Sequence, residues 1–373
     1  MRILQMIAMS KLASGGGYQM VRLSNELVKR GHTVHVIVHE DSSIPEDEFK
    51  SFLHPDITFL RIPLPKFHLT KTTFSSLKFL RNYVKEHQIE IIHAHKGRAG
   101  DYAFFSTTGL PIPIIINRGV TNPLSFSNAL KYKSNKVFGV VAVSQAVKDV
   151  MVESGSLSPD KIHVVYGSVD INEFSPDIHS TFRQEFGISD NTFVWGFIGN
   201  SGPRKGVQYL LEAFREFLKT YPEDKLVLIG TATANEWAKK TRQTFGKSVI
   251  LTGYRKDIPN CLKGFDAFVF SGVAEEGLTG TVREAAAMEL PIICTDVAGN
   301  RELIEDRKTG LLVPKADSAA LLEAMIYARE HPDEVKQYGK QARDFVIKHM
   351  TNEVRTDKLE TIYQEALNAY RHH

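Results

Sequence analysis

The sequence predicts an α/β protein made of two doubly wound parallel sheets, each of Rossmann-like topology. Short apolar runs typical of strands alternate with stretches of helical periodicity along most of the chain, which indicates parallel strands covered by helices on both faces. A polar segment after Val165 interrupts the series, and a second series follows. The length of 373 residues also favours two domains.

The first domain is predicted over residues 1–174. Its first strand is predicted at Ile3–Ala8, its first helix at Tyr18–Arg30, which Gly31 ends, and its second strand at Thr33–Val38. Further strands are predicted near Ile57–Arg61, Glu90–Ala94, Ile112–Ile116, Phe138–Val143 and Lys161–Val165. Further helices are predicted near Phe74–His87, Ala99–Thr107 and Gln145–Ser154.

A polar segment rich in turn residues predicts a linker at 175–192, followed by a second domain at 193–350. Its strands are predicted at Phe193–Ile198, Lys225–Ile229, Ser248–Leu251, Ala267–Phe270, Pro291–Thr295 and Gly310–Val313. Helices are predicted at Gly206–Lys219 and Ala234–Phe245. The last helix, within 351–373, is expected to return to the first domain.

Composition excludes several classes of protein. A net charge of +3 is too small to indicate nucleic-acid binding without a recognisable motif. Cys261 and Cys294 lack the spacing of a metal site, so they are predicted to be buried core residues in a reducing, cytoplasmic compartment. The opening apolar run is too short for a signal peptide, and no run reaches the length of a membrane span.

Ligands of open α/β sheets bind beyond the carboxyl ends of the strands, so the loops there are the first place to look for a site. The first such loop contains Gly15, Gly16 and Gly17, which let the backbone approach a ligand while the next helix offers its N–H groups to an anion. It lacks both the dinucleotide fingerprint and the P-loop lysine. A flexible turn is an equally good interpretation.

The equivalent loop of the second half has the sequence GNSGPRKGVQYL. Arg204 and Lys205 precede a helix, where a cation opposes the helix dipole, and this favours a bound anion such as a diphosphate. Two solvated charges are the alternative interpretation.

The stretch Glu275–Pro314 is the most specific part of the sequence. Glu276 lies on a loop and Glu284 about one turn inside the following helix, so both carboxylates can reach one ligand near the start of that helix. Carboxylates accept two hydrogen bonds from neighbouring hydroxyls, which suits a sugar nucleotide.

Together these motifs resemble glycosyltransferase family 4, whose members are retaining enzymes of the GT-B fold, with two doubly wound domains facing a central cleft. The resemblance rests on IIHAHKGRAG, VVAVSQAVKDVMVESG, RKGVQYLLEAF, LTGYRKDI and the Glu275–Pro314 stretch. It implies that Glu276 contacts sugar hydroxyls, Glu284 the ribose diol and Lys205 the diphosphate. It also implies that Gly277, Leu278, Thr279 and Gly280 cup the sugar and phosphates, and that the base lies near Gly253–Ile258, which includes Tyr254.

Some positions depart from the family pattern. Asn200 stands where the family usually has an arginine, so either Arg204 supplies the second positive charge or the site is weaker. Asn117 and Arg118 stand where many members have a histidine, which leaves Arg118 and His95 as candidates to face the sugar. A histidine at a strand end is more often a packed structural residue.

The resemblance implies transfer of a sugar from a nucleotide sugar to an acceptor hydroxyl, with retention, in the synthesis of a polysaccharide, lipopolysaccharide or glycolipid. Lys205, Glu276, His95 and Arg118 are the catalytic candidates. Since no Asp-x-Asp motif occurs, neither a metal nor another cofactor is expected. A nucleotide-sugar 2-epimerase and a non-catalytic nucleotide-sugar-binding protein are the alternatives.

The acceptor is expected to be a glycan or a lipid-linked molecule bound by the first domain. The segment Phe59–Lys85 contains no acidic residue, and aromatic and apolar residues are interleaved with six cations: Arg61, Lys66, Lys71, Lys78, Arg81 and Lys85. One interpretation is peripheral binding to an anionic membrane on its inner face. The other is a core helix with solvated lysines.

Overall fold

The computed structural model describes residues 1–9, 15–41, 50–68, 70–274 and 277–371. The chain divides into two compact units, the first formed by Met1–Ser168 with the chain from Asn352 onward, and the second by Val169–Thr351. The second unit therefore begins before the predicted linker at 175–192, which lies inside it.

The described part of the first unit holds a seven-stranded parallel sheet in the order β3-β2-β1-β4-β5-β6-β7. The strands are β1 (Arg2–Ile7), β2 (Thr33–His39), β3 (Thr58–Ile62), β4 (Ile91–His95), β5 (Ile114–Arg118), β6 (Val137–Ala142) and β7 (Ile162–Val164). The helices between them are α1 (Gly15–Lys29), α2 (Lys71–Glu86), α3 (Gly97–Ser106), α4 (Phe126–Lys133) and α5 (Gln145–Gly155).

Apolar side chains fill both faces of this sheet, because strands buried on both sides need no polar alternation. Along β1, Leu4 and Met6 pack toward one core cluster, whereas Ile3 and Ile7 pack toward the other. The C-terminal helix, Asn352–Arg371, contributes to the second cluster through Leu359, Ile362, Tyr363, Ala366 and Leu367. It thus completes the helical layer that α1 begins.

The described part of the second unit holds a six-stranded parallel sheet in the order β10-β9-β8-β11-β12-β13. The strands are β8 (Val194–Ile198), β9 (Lys225–Ile229), β10 (Val249–Gly253), β11 (Ala267–Phe270), β12 (Ile292–Thr295) and β13 (Leu311–Val313). The helices are α6 (Phe182–Glu185), α7 (Val207–Phe217), α8 (Glu236–Phe245), α9 (Ile258–Lys263), α10 (Gly280–Ala287), α11 (Ser318–Glu330) and α12 (Pro332–His349). Cys261 and Cys294 are buried and unpaired, as predicted.

The polar residues of 175–192 make contacts within the second unit. Phe182 is fully buried, and the Arg183 guanidinium donates to Asp266 Oδ2 at 2.5 Å and to the Thr192 carbonyl at 2.9 Å. Composition predicted a linker here because it does not distinguish a solvated polar segment from one whose side chains bond residues far along the chain.

Strand order reverses once in each unit. The reversal falls between β1 and β4 in the first sheet and between β8 and β11 in the second. The loops that leave neighbouring strands at such a point diverge and leave room for a ligand at their carboxyl ends. None of the helices in the described ranges is long and apolar enough to cross a membrane.

Candidate active site

In the second unit, the loops that follow β8 and β11 touch through their backbones. A Cβ added to Gly206 would lie 1.8 Å from the Ser271 carbonyl oxygen. The Val273 N–H donates to the Arg204 carbonyl at 3.0 Å. Only glycine fits at position 206, and the contact places Arg204 and Lys205 at the strand reversal.

Lys205 is held at this point by its backbone. The Ser271 hydroxyl donates to the Lys205 carbonyl at 3.2 Å, and the half-buried Lys205 side chain places Nζ 5.8 Å from the centre of the Phe270 ring. Arg204 is exposed. The cations predicted from the sequence therefore differ, since Lys205 is anchored against the sheet and Arg204 extends from it.

Asn200 serves the same loop. Its side chain is exposed, and Oδ1 accepts a hydrogen bond from the Gly202 N–H at 2.9 Å, a local turn that asparagine commonly stabilises. The contact shapes the loop and supplies no positive charge in place of the arginine that the family usually has.

The loop after β12 joins this group through α10. The Thr279 N–H donates to Asn300 Oδ1 at 3.0 Å, and the Thr295 hydroxyl donates to the Gly272 carbonyl at 2.7 Å. The loops that follow three neighbouring strands of the sheet, β8, β11 and β12, are thus hydrogen-bonded to one another. Sequence reasoning did not identify Asn300, whose partner lies 21 residues earlier.

The N-terminus of α10 is suited to an anion. Its first turn contains no acidic residue, and the cap residue Thr279 makes no side-chain capping bond. Among the described residues, the buried hydroxyls of Thr279 and Thr281 have no hydrogen-bond partner. The helix dipole and these donors together favour a phosphate or a sugar hydroxyl. Gly277 and Leu278 precede this cap residue, and Gly280 begins the helix.

The two predicted carboxylates differ in what the structure shows of them. Glu284 lies one turn inside α10 and is half-buried. Glu276 lies outside the described residues. The convergence predicted for this pair therefore stays a prediction.

Tyr254 lies beyond the carboxyl end of β10, where the resemblance predicts the base. Its side chain is 67% exposed, and the preceding Gly253 carbonyl accepts from the Gly230 N–H at 2.7 Å. The neighbouring Arg255 binds Asp257, and this hydrogen bond lowers the pKa of the Asp257 carboxyl to about 2. The loop is fixed by that ion pair, while the Tyr254 ring is open to solvent.

In the first unit, the glycine loop begins α1 beside Lys96. Gly15, Gly16 and Gly17 form the first turn of α1, which contains no acidic residue. A Cβ on Gly16 would lie 3.1 Å from Lys96 Cε, so glycine lets the lysine chain lie across the loop. Sequence reasoning missed Lys96, although a cation before a helix was the signal used for Lys205.

His95 does not lie where a substrate could reach it. It is 2% exposed; its Nε2 bonds Gln5 Oε1 at 2.7 Å and its Nδ1 bonds Asn117 Nδ2 at 3.0 Å. Burial lowers the pKa of this imidazole. Both ring nitrogens are occupied inside the unit, so the structure does not support a direct catalytic role for His95.

Arg118 remains the first-unit candidate. It ends β5, is half-buried, and donates to the Asn122 carbonyl at 2.5 Å. Within the described residues, its buried Nε has no hydrogen-bond partner. Its guanidinium therefore holds one buried, unsatisfied donor at the carboxyl edge of the sheet.

Solved structures share this architecture. A glycosyltransferase from Rickettsia africae ESF-5 matches with a TM-score of 0.87 at 19% identity, over 98% of this chain and 98% of that chain. HepE from Anabaena in complex with UDP matches with a TM-score of 0.81 at 18% identity, over 98% of this chain and 100% of that chain. At these identities the likeness shows the fold alone, which is GT-B.

Two family models identify the class more closely. The model described as Glycosyltransferase Family 4 matches residues 13–173, and the model described as Glycosyl transferases group 1 matches residues 192–331. A relative, the UDP-Gal:alpha-D-GlcNAc-diphosphoundecaprenol alpha-1,3-galactosyltransferase of Escherichia coli, is 25% identical over 77% of this chain and 78% of its own. The chain belongs to glycosyltransferase family 4, as the motifs predicted.

Proposed function

We propose that this glycosyltransferase moves a sugar from a nucleoside diphosphate sugar to an acceptor hydroxyl, with retention at the anomeric carbon. The observation that carries the proposal is the hydrogen-bonded convergence of the loops after β8, β11 and β12. That convergence joins Lys205 to the N-terminus of α10, on which Glu284 lies. A cation and a helix N-terminus are the groups that a diphosphate requires.

The second unit is assigned the donor. Negative charge develops on the diphosphate as the sugar leaves, and Lys205, Arg204 and the N–H groups of α10 stabilise it. Glu284 holds the ribose, and Glu276 holds the sugar hydroxyls. The leaving phosphate accepts the proton of the acceptor hydroxyl on the same face of the sugar, so no protein nucleophile is needed.

Transfer is proposed to need no metal or other cofactor. The support is the absence of an Asp-x-Asp motif from the sequence. Turnover in excess EDTA is expected to equal turnover without it, and a loss that Mg²⁺ or Mn²⁺ restores would refute this part of the proposal.

The donor assignment is tested by Lys205→Ala, with Lys219→Ala as a matched control at the end of the neighbouring α7. Lys219 is exposed, with 71% of its side chain accessible. Since Lys205 stabilises charge that develops in the transition state, K205A is expected to lower kcat by roughly 100-fold and K219A to leave it unchanged. A K205A enzyme as active as K219A would overturn the assignment.

The nucleotide is tested by thermal shift with UDP, GDP and ADP, because a bound donor stabilises the folded state by mass action. HepE was solved with UDP, and the name of the E. coli relative gives UDP-Gal as donor and a diphosphoundecaprenol-linked acceptor. A product that carries no acceptor would instead identify a 2-epimerase. Nucleotide binding with neither transfer nor donor hydrolysis would identify a non-catalytic binding protein.

Peripheral membrane binding is proposed for the outer face of α2 and the end of α3. Phe74 is 57%, Phe79 41% and Phe105 51% exposed, and the neighbouring Lys71 and Lys78 are also exposed. The inner face of α2 buries Leu80. Leu69, another apolar residue of the segment Phe59–Lys85, lies outside the described residues. Exposed aromatics among lysines suit the interface of an anionic membrane, where a lipid-linked acceptor would reside.

Flotation with phosphatidylglycerol vesicles tests this surface. Wild-type protein is expected to co-float at low salt and to dissociate as salt screens the lysines. Phe74→Ser with Phe79→Ser is expected to abolish flotation, whereas Ile347→Ser, which removes a 40% exposed apolar residue of the second unit, is expected to have no effect. Wild-type protein that stays at the bottom of the gradient at low salt refutes membrane binding.

A further inference from the structure

Five side chains from four elements form a closed hydrogen-bonded ring at the carboxyl edge of the first sheet. They are Gln5 of β1, His93 and His95 of β4, Asn117 of β5 and Tyr363 of the C-terminal helix. Gln5, His93 and Tyr363 are fully buried, His95 is 2% exposed, and Asn117 is half-buried.

The ring has five bonds. His95 Nε2 lies 2.7 Å from Gln5 Oε1, and Gln5 Nε2 lies 3.3 Å from the Tyr363 hydroxyl. That hydroxyl bonds His93 Nδ1. His93 Nε2 lies 2.9 Å from Asn117 Oδ1, and Asn117 Nδ2 closes the ring 3.0 Å from His95 Nδ1.

The amide groups set the direction of every bond, because an amide nitrogen only donates and its oxygen only accepts. Asn117 Nδ2 donates to His95 Nδ1, so His95 carries its proton on Nε2 and donates to Gln5. Gln5 Nε2 donates to Tyr363, whose own proton goes to His93 Nδ1, and His93 Nε2–H returns to Asn117. Each member donates one bond and accepts one, and both imidazoles are neutral.

Two residues of the ring, His95 and Asn117, each precede a cation in the sequence. Lys96 follows His95 and has a backbone φ of +77°, a left-handed conformation that a lysine adopts only when its surroundings impose it. Arg118 follows Asn117, and Asn117 pairs with His95 in the β4–β5 register. Moving Asn117 would therefore displace the ends of both strands.

We propose that this ring is a positioning device in which Asn117, held by His93 and His95, fixes Arg118 and Lys96 toward the substrates. The five ring members are positioning residues rather than catalytic ones, since their polar atoms bond one another. The predicted changes in kcat rest on the proposed function. The predicted changes in the NMR signals of the ring do not.

The kinetic experiment compares Asn117→Ala, Asn117→Asp and Tyr363→Phe. Tyr370→Phe is the matched control. Tyr370 lies on the same C-terminal helix as Tyr363, but its hydroxyl donates to the carbonyls of Asn135 and Lys136, which are outside the ring. N117A is expected to lower kcat by about 100-fold through misplacement of Arg118, and Y363F by up to about tenfold. Y370F is expected to match the wild type. Equal kcat for N117A and Y370F at equal folded fraction would overturn the proposal.

N117D gives a signature that a merely structural residue would not give. The new carboxylate accepts from His93 but cannot donate to His95 Nδ1, so the ring closes only after one proton is added between Asp and His95. N117D is therefore expected to regain activity as the pH falls from 8 to 6, relative to wild type. A pH profile parallel to that of the wild type would refute the ring.

Nitrogen-15 NMR separates failure of the ring from failure of the proposed function. His93 and His95 are expected to be neutral, to share one tautomer and not to titrate between pH 8 and 5. The Arg118 Nε–H signal is expected to move in N117A and Y363F but not in Y370F. These results with no sugar transfer would overturn the proposed function alone, whereas unlike tautomers or an unmoved Arg118 signal would overturn the ring alone.

Discussion

Gly206 shows how one residue assembles the donor loops. Its φ of +62° is a left-handed conformation, and its missing side chain leaves room for the Ser271 carbonyl. Both features are demanded by the contact between the loops after β8 and β11, so Gly206 determines where Lys205 lies.

Gly206→Ala is therefore expected to lower stability and to remove nucleotide binding. The methyl group would clash with backbone at 1.8 Å, adding about 1–3 kcal/mol of overpacking to about 1–2 kcal/mol for the left-handed conformation. Gly187→Ala is the control, because its φ is +60° and no atom of the described residues lies within 4 Å of the added Cβ. Urea denaturation and nucleotide titration of both variants would show the difference, and equal losses would contradict the contact.

Single residues differ in how far the sequence could predict their roles. The role of Lys205 is predicted from a local signal, a cation next to a helix start. For His95, no local pattern shows that both ring nitrogens are occupied, because its partners, Gln5 and Asn117, lie 90 and 22 residues away. Asn300 was missed for the same reason.

The C-terminal helix illustrates packing at the scale of an element. Arg30 donates to Asp357 at 2.6 Å and to Glu360 at 2.5 Å, while the buried Leu359 and Tyr363 enter the core cluster that α1 and the sheet share. The final helix is therefore part of the first unit's core.

Leu359→Ala is expected to lower the free energy of unfolding of the first unit by about 2–5 kcal/mol, because it leaves a cavity at a fully buried site. Gln364→Ala, an exposed change on the same helix, is expected to stay within about 0.5 kcal/mol of wild type. Urea denaturation followed by circular dichroism measures both. If L359A were as stable as Q364A, the helix would not be part of this core.

Elements with strong periodicity were predictable, and short ones were not. The strands and the long helices follow from apolar spacing, and the structure confirms them. The prediction missed α4, α6 and α9 because they are short. α6 lies in a polar segment whose buried Phe182 packs on Phe265, a residue far along the chain.

At the scale of the whole molecule, each unit has its own core, and the units carry different titratable groups. Burial lowers the pKa of five first-unit histidines, and that of His93 falls to about 3. The five are His35, His39, His93, His95 and His163. The two tryptophans, Trp195 and Trp237, both lie in the second unit. The first unit therefore contains buried histidines that make it sensitive to acid, and the second unit contains both tryptophans, whose fluorescence reports its unfolding.

Acid is expected to destabilise the first unit before the second. An unfolded histidine takes up a proton near pH 6.5, whereas a folded one with a lowered pKa does not. This contribution to stability is complete above pH 6.5 and is lost as the pH falls toward 3. The pKa of Asp257 is lowered to about 2, so this carboxyl changes the stability of the second unit only when the pH falls below about 4, where unfolded carboxyls take up protons. Between pH 6.5 and about 4.5, the change in stability therefore comes from the histidines.

Urea denaturation at pH 7.5 and pH 5.0, followed by two probes, tests this order. Far-ultraviolet circular dichroism reports both units, and tryptophan fluorescence reports the second alone. The dichroism transition is expected to move to lower urea at pH 5.0 and to separate from the fluorescence transition, since unfolding of a two-unit chain need not be two-state. His68→Asn, which changes an exposed histidine, is expected to leave the separation unchanged. Equal shifts of both transitions would mean that the buried histidines do not govern the response to acid.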